Sequence, residues 1–319
     1  MDIVLGIDIG GTKTKLGLVN KHGECLESTY FRTRDFLDLD EYLDKIYSTS
    51  MELKAKLPNS SNIIGCGIGA PNASSKTGCI VNASNLAWKG EVPLLKKLQE
   101  RMPMPMKLMN DANAAALGEM QFGSAKGMQD FIAITLGTGL GSGIVINGQI
   151  VEGSGGLAGE LGHISMTLGD GRETGLHVAG GLEAYVSATG LKRTILYMQS
   201  KYTEASRFRS IAYNDLHGED ITQAAEEGDF IALKAFDYTA NILARALANF
   251  AAFSQPEAFI LLGGLANSGK WIFDPLQKYF DSYLLEIYKD NIKLLKSGMP
   301  EKTAAVCGAA SVIWMEIDK

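Results

Sequence analysis

The chain has 319 residues, of which 46% are hydrophobic and 21% charged, enough for two domains with sizeable cores. Its net charge of −6 excludes the broad basic face that nucleic-acid binding requires, and no apolar run reaches the length of a membrane span. The four cysteines, Cys25, Cys66, Cys79 and Cys307, form no CxxC pair, so neither a zinc cage nor a disulfide framework is indicated and a reduced compartment fits.

In chain order, the opening MDIVLGIDIGG lacks a basic leader segment and reads as cytoplasmic. Residues 3–9 are an apolar run, Gly10-Gly11-Thr12 a tight turn and residues 13–19 a second apolar run, a spacing that predicts a β-hairpin. Asp8 stands in the otherwise apolar first strand, where an unpaired carboxylate is costly. A metal ion or the water around one accounts for it, with capping of the turn as the alternative. Residues 20–24 turn the chain into a third strand, giving a meander, and residues 40–56 carry Tyr42, Leu43, Ile46, Tyr47 and Leu53 at helical spacing. A buried strand over 63–69 ends in Ala70-Pro71-Asn72. The polar loop 82–88 around Trp88 suits either a sugar site or an anchored surface loop. Residues 106–110 then run as a strand into an alanine-rich helix, where Asn110 or Asp111 serves as N-cap and the Asp111 carboxylate is also placed to meet a ligand.

The stretch 135–163 repeats the first hairpin pattern, with a turn at Gly137-Thr138-Gly139 between two apolar runs. A single glycine turn is an ordinary hairpin; two glycine–threonine copies point to backbone amides closing on phosphate at two places. Glu160 and His163 follow in a second glycine-rich segment and are suited to binding hydroxyls. A helical region reaches to about residue 202, a long helix runs from 230 to about 253, and an apolar strand at 258–262 leads into a Gly263-Gly264 turn. An apolar helix over 304–317 closes the chain.

Five motifs occur together and in order: DIGGTK at 8–13, NDANAAALGE at 110–119, TLGTGLGSG at 135–143, GELGHI at 159–164 and GLEAY at 181–185. On these the sequence resembles the ROK family of sugar kinases, which includes bacterial glucokinases and N-acetylhexosamine kinases, within the actin-like ATPase superfamily. The resemblance implies a two-lobed α/β fold of the ribonuclease H-like kind with a cleft between domains. The N-terminal domain would be 1–112, completed by the C-terminal helix 304–319, and the larger domain 113–303. It further implies transfer of the ATP γ-phosphoryl group to a hexose hydroxyl, the 6-hydroxyl of glucose or a related hexose, with Asp111 as general base. N-acetylglucosamine, N-acetylmannosamine and fructose remain alternative acceptors.

By the same resemblance, Gly10, Gly11 and Thr12 hold one part of the triphosphate and Gly137, Thr138 and Gly139 another, while Gly263 and Gly264 lie beside the adenosine. Asp8 would orient Mg²⁺ through water, and Lys13 would add charge or simply be solvated. Asn85, Asn110, Asp111, Glu160, His163 and Glu183 would bind the sugar, with Asn72 and Ser84 as lesser candidates. A homodimer is implied, with sugar and ATP as the ligands and neither nucleic acid nor membrane as a partner.

One departure from the family is plain. Many members follow GHI with a CxCGxxGC segment whose cysteines, with the histidine, hold a structural zinc. Here Thr174, Leu176 and Gly181 stand where thiolates would be needed, and His163 with His177 supply at most two ligands. No zinc is expected, and packing must hold the loop. The family also contains sugar-responsive repressors that carry a helix-turn-helix ahead of the first hairpin, which here begins at residue 3; a silent sugar sensor is the other non-enzyme alternative.

Overall fold

The computed structural model describes residues 1–167 and 170–317. The chain opens with β1 (Asp2–Ile9), β2 (Lys13–Asn20) and β3 (Cys25–Arg32), the expected antiparallel meander, in which Asp8 pairs across from Lys15. Helix α1 (Leu39–Lys54) is capped by Asp38, whose side chain accepts from the amides of Asp40 and Glu41, a contribution of about 1 kcal/mol. It buries Tyr42, Leu43, Ile46 and Leu53 on one face, whereas Tyr47, expected with them from the helical spacing, lies off that face and is exposed. Strand β4 (Asn62–Ala70) runs parallel to β1. The short strands β5 (Ala73–Ser74), β6 (Cys79–Val81) and β7 (Glu91–Val92) form a small antiparallel sheet. After α2 (Leu94–Arg101), β8 (Met106–Asn110) joins β4 in parallel, completing a sheet of order β3-β2-β1-β4-β8. Helix α3 (Asp111–Phe122) follows directly.

The remaining elements are β9 (Phe131–Leu136), β10 (Leu140–Ile146), β11 (Gln149–Ile150), α4 (Ala188–Lys201), α5 (Gly218–Glu226), α6 (Phe230–Ser254), β12 (Ala258–Leu262), α7 (Lys270–Tyr283), β13 (Lys293–Lys296) and α8 (Ala304–Ile317). No helix among the described residues is long and apolar enough to cross a membrane.

The chain divides into two compact units: Met1–Gln129 with Gly143–Gly159 and Ser297–Lys319, and Asp130–Ser142 with Glu160–Lys296. Helix α3 thus belongs with the first unit, whereas the division drawn from sequence starts the larger domain at residue 113.

In the first unit, Ile3, Leu5, Ile7 and Ile9 of β1 point to one face and join Leu16, Leu18, Tyr42, Leu43 and Ile46 in a core, each fully buried apolar side chain contributing about 1.5–3 kcal/mol. The opposite face receives α8. Gly6 and Gly67 make that approach possible, because a β-carbon at either would collide with a helix carbonyl, of Val306 and Ala309 respectively. Glu119 of α3 is wholly buried, but its carboxylate is satisfied by the amides of Ser124 and Gly298 at 2.8 and 3.1 Å and by the Ser297 hydroxyl.

In the second unit, β12 lies parallel to both β9 and β13, and all five β12 residues are buried, the continuous apolar pattern of a strand covered on both faces. Helix α6 packs along α4 and α7. Its N-cap is Asp229, accepting from the amides of Ile231 and Ala232, and its end is marked by Gln255 in the left-handed region at φ 44°.

Candidate functional site

The first unit gathers eight of the expected site residues. Asp8 is the penultimate residue of β1 and the turn Gly10-Gly11-Thr12 follows the strand, closed by a Gly10 N–H donating to the Lys13 carbonyl at 3.0 Å. The turn is braced from the end of the meander. The Thr33 hydroxyl donates to the Gly10 carbonyl at 2.7 Å, the Thr33 amide donates to the Thr12 carbonyl at 3.0 Å, and Arg34 Nε donates to the Gly11 carbonyl at 3.3 Å. The carbonyls are therefore occupied, while the amides of Gly11 and Thr12 donate to nothing among the described residues, which is how a turn presents itself to an anion. Lys13 is exposed, its ammonium 4.2 Å above the Tyr30 ring. Asn85 is packed against Gly11.

At the start of α3 the two cap candidates separate. Asn110 is the N-cap, its Oδ1 accepting from the amides of Ala112 at 2.9 Å and Asn113 at 3.3 Å. The Asp111 carboxylate accepts from the Ala112 amide at 2.8 Å through one oxygen. Solvent reaches Asp111, but protein is dense around it, and this desolvation raises its carboxyl above the ordinary range, against the hydrogen bond from Ala112. Asp8 is pushed up to about 6, by burial first and by the negative charge of Asp111 second, with Lys15 opposing. Two carboxylates that each resist ionisation suit a cation. Mg²⁺ uses one or two carboxylates together with waters and phosphate oxygens, and Asp8 beside an amide-lined turn fits that donor set.

The second unit assembles its candidates around the hairpin of β9 and β10. At its tip the Gly137 amide donates to the Gly139 carbonyl at 3.0 Å, and the amides of Thr138 and Gly139 donate to nothing among the described residues. The N-terminus of α4 abuts this turn, the Ala188 amide donating to the Gly137 carbonyl at 2.9 Å and the Thr189 hydroxyl to the Thr138 carbonyl at 3.0 Å, so a positive helix end lies beside the exposed amides. The turn after β12 is adjacent: Gly263, at φ 91°, leaves no room for a β-carbon against the Leu136 carbonyl, while Gly264 faces open space.

Glu183, on the 3-10 turn Leu182–Ala184, accepts from the Leu140 amide at 3.0 Å through Oε2 and from the Gly175 amide at 3.3 Å through Oε1. Glu160 is exposed, its Oε2 lying 3.8 Å from His163 Nε2 on the turn Leu161–His163. Of the lesser candidates, Asn72 is committed to the Val81 carbonyl at 3.1 Å and Ser84 is exposed. Trp88 is an anchor and not a sugar platform, buried against Tyr42 with ring centroids 4.4 Å apart.

The zinc donor set does not fit. His163 Nδ1 is buried without a partner among the described residues, but Thr174 is buried with its hydroxyl accepting from the Leu176 and Val178 amides at 3.3 and 3.2 Å. Leu176 is half exposed, and His177 is turned to solvent, paired with Glu173 at 3.2 Å. Among the described residues no three His, Cys, Asp or Glu side chains gather to hold a metal.

The sequence reading did not single out Thr33, Arg34, Ser187 or the start of α4. Thr33, Arg34 and the start of α4 act on a glycine turn from a distant part of the chain, and only Ser187, at an N-cap position, carried a local signal, its hydroxyl accepting from the Gly190 amide at 2.9 Å.

A glycine–threonine hairpin in each unit, beside parallel strands and helices, defines an α/β protein of the actin-like ATPase fold. The sequence model of the ROK family matches residues 4–316, and the chain belongs to that family. It is 34% identical over 293 residues to the glucokinase of Halalkalibacterium halodurans, covering 88% of this chain and 86% of that one. It is 31% identical over 315 residues to the glucokinase of Thermotoga maritima, covering 97% and 96%. Among solved structures, a ROK family glucokinase from Streptomyces griseus in complex with glucose and AMPPNP superposes with a TM-score of 0.81 at 32% identity, covering 97% of this chain and 98% of that one.

Proposed function

We propose that this protein is an ATP-dependent hexose kinase that transfers the γ-phosphoryl group to the 6-hydroxyl of glucose or a closely related hexose, with Asp111 as general base. The observation that carries the reading is the pair of carboxylates in the first unit: Asp8 stands beside the bare amides of the Gly10–Thr12 turn, raised by burial first and by the charge of Asp111 second, and Asp111 stands at the head of α3. The family membership and the glucokinases among the relatives support it.

In the reaction, the sugar hydroxyl oxygen attacks the γ-phosphorus while its proton passes to the Asp111 carboxylate. The bond from that phosphorus to the bridging oxygen of ADP breaks. A carboxyl raised above the ordinary range is a stronger base than a free aspartate once ionised, which favours this transfer. The bare amides of Gly11 and Thr12 are suited to phosphate oxygens, and so, separately, are those of Thr138 and Gly139 beside the α4 terminus. Gly263 and Gly264 adjoin the second turn and accommodate the adenosine. Asp8 would hold Mg²⁺ through water, and the ion supplies neutralisation of phosphate charge. Asn85, Asn110, Glu160, His163 and Glu183 orient the sugar.

The test is ADP release from Mg-ATP across glucose, mannose, fructose, N-acetylglucosamine and N-acetylmannosamine. Strong stimulation by glucose supports the reading, and stimulation by an N-acetylhexosamine or by fructose instead reassigns the acceptor. No stimulation by any sugar, with a sugar still raising the melting temperature, makes the protein a sensor.

A further inference from the structure

Residues 170–181 lead from the His163 turn to the Glu183 turn in the segment where relatives place zinc ligands, and this chain's residues do not fit a zinc. The segment is nevertheless fastened, and Arg172 is the point of attachment. Its guanidinium lies 4.9 Å from the ring centroid of Tyr185, 5.6 Å from that of Tyr197 on α4 and 5.8 Å from that of Tyr238 on α6. Nη1 donates to the Thr194 hydroxyl at 2.8 Å and, more weakly, to the Gly190 carbonyl at 3.5 Å. The backbone takes part as well: the Arg172 amide donates to the Tyr185 hydroxyl at 3.0 Å, and its carbonyl accepts from the Gly180 amide at 3.0 Å. A second strut follows, Arg193 Nη1 donating to the Glu173 carbonyl at 2.7 Å.

Among the described residues no carboxylate pairs with the Arg172 guanidinium. A half-buried cation without a counter-ion is unfavourable unless other groups replace water around it. Three aromatic faces and a hydroxyl do so, and arginine suits the place because its planar fork stacks on rings while it donates in plane. From this anchor the bonds run on to the candidate sugar site. The Thr174 hydroxyl gathers the Leu176 and Val178 amides, the adjacent Gly175 amide donates to Glu183 Oε1, and Glu183 Oε2 accepts from Leu140 beside the second glycine turn.

We propose that Arg172, caged by Tyr185, Tyr197 and Tyr238, takes over the task that zinc performs in metal-holding relatives, tying residues 170–181 to α4 and α6 so that the Gly175 amide fixes Glu183. Arg172 is then a positioning residue for a sugar-binding carboxylate, a role that rests on the kinase reading, whereas the clamp itself does not.

The experiment compares the full-length wild type with Arg172→Met, Arg172→Lys, Tyr238→Leu and the Met/Leu double variant, by amide hydrogen exchange and by steady-state kinetics with the preferred sugar. Arg172→Met is expected to speed exchange at residues 170–181, and to raise the sugar KM about tenfold with the ATP KM changed by less than about twofold, the loss of one bond to a charged acceptor. Arg172→Lys recovers part of both effects. Tyr238→Leu acts in the same direction more weakly and carries the test if Arg172→Met does not fold, and the double variant is no worse than Arg172→Met because both break one tie. Unchanged exchange in both single variants overturns the clamp, as does faster loop exchange in wild type on adding EDTA. Equal changes in the two KM values overturn the positioning role. A wild type inactive on every sugar but with a protected loop that loosens in Arg172→Met sinks the kinase reading alone and leaves the clamp standing.

Discussion

Gly11 and Asn85 are packed so closely that a β-carbon on Gly11 would stand 2.8 Å from both the Cβ and the backbone oxygen of Asn85. The first glycine turn therefore touches a candidate sugar ligand directly. The second turn repeats the arrangement, since a β-carbon on Gly139 would run into the Glu183 carboxylate. Gly137 differs, for a β-carbon there meets nothing within 4 Å and its φ is not positive. These glycines can be separated by experiment. Gly11→Ala and Gly139→Ala should displace Asn85 and Glu183 and raise the sugar KM. Gly137→Ala should fold with stability within about 0.5 kcal/mol of wild type, yet raise the ATP KM, because the proposed function assigns the open space beside it to phosphate. An unchanged ATP KM in Gly137→Ala would take the turn out of the nucleotide site.

The raised carboxyl of Asp8 has a consequence for stability. In the metal-free protein Asp8 titrates near 6 where the free group titrates at 3.8, so between those values the folded chain keeps a proton that the unfolded chain has released. The charge costs stability that is intact below 3.8, diminishes as the pH rises and reaches its full loss above about 6. Asp8→Asn should consequently raise the melting temperature at neutral pH while abolishing phosphoryl transfer, and the stabilisation should vanish near about pH 4. Thermal unfolding of both proteins at the two pH values, without Mg²⁺ or nucleotide, measures this. A lower melting temperature for Asp8→Asn at neutral pH would show that the charge is favourably held.

Glu183→Gln replaces an acceptor of two amides by a group with one acceptor and one donor. Whichever way the amide turns, its NH₂ faces the N–H of Leu140 or of Gly175. Sugar KM should rise about tenfold or more while ATP KM moves little, since a bond to a charged acceptor contributes about 1.5–3 kcal/mol. Isothermal titration with sugar and with AMPPNP separates the two ligands, and an unaltered sugar affinity would remove Glu183 from the site.

How far all this could be read in the sequence depended on whether the cause was local. The β1–β2 hairpin and α1 were legible because a glycine turn between apolar runs, and Tyr42, Leu43, Ile46 and Leu53 at helical spacing, are written in neighbouring residues. The junction at Asn110 and Asp111 was legible as a cap without saying which residue caps; the structure gives that task to Asn110, whose side chain accepts from the amides of Ala112 and Asn113. The loop 82–88 was ambiguous because Trp88 finds Tyr42 from far along the chain. The grouping of α3 with α8 was hidden for the same reason, since it depends on Gly118 meeting the backbone of Gly308. Thr33 and Arg172 left no sign at all. A threonine at the end of a strand and an arginine in a loop are common, and their partners lie about twenty residues away.

The most direct test of the account is the turnover of Asp111→Ala, measured beside its sugar affinity. Loss of a general base should lower kcat by about a hundred- to ten-thousandfold. Sugar binding by calorimetry should persist, since Asn110 continues to cap α3 and hold the strand end. Turnover within about tenfold of wild type, with sugar still bound, would contradict the assignment of Asp111 as the base and with it the proposed chemistry.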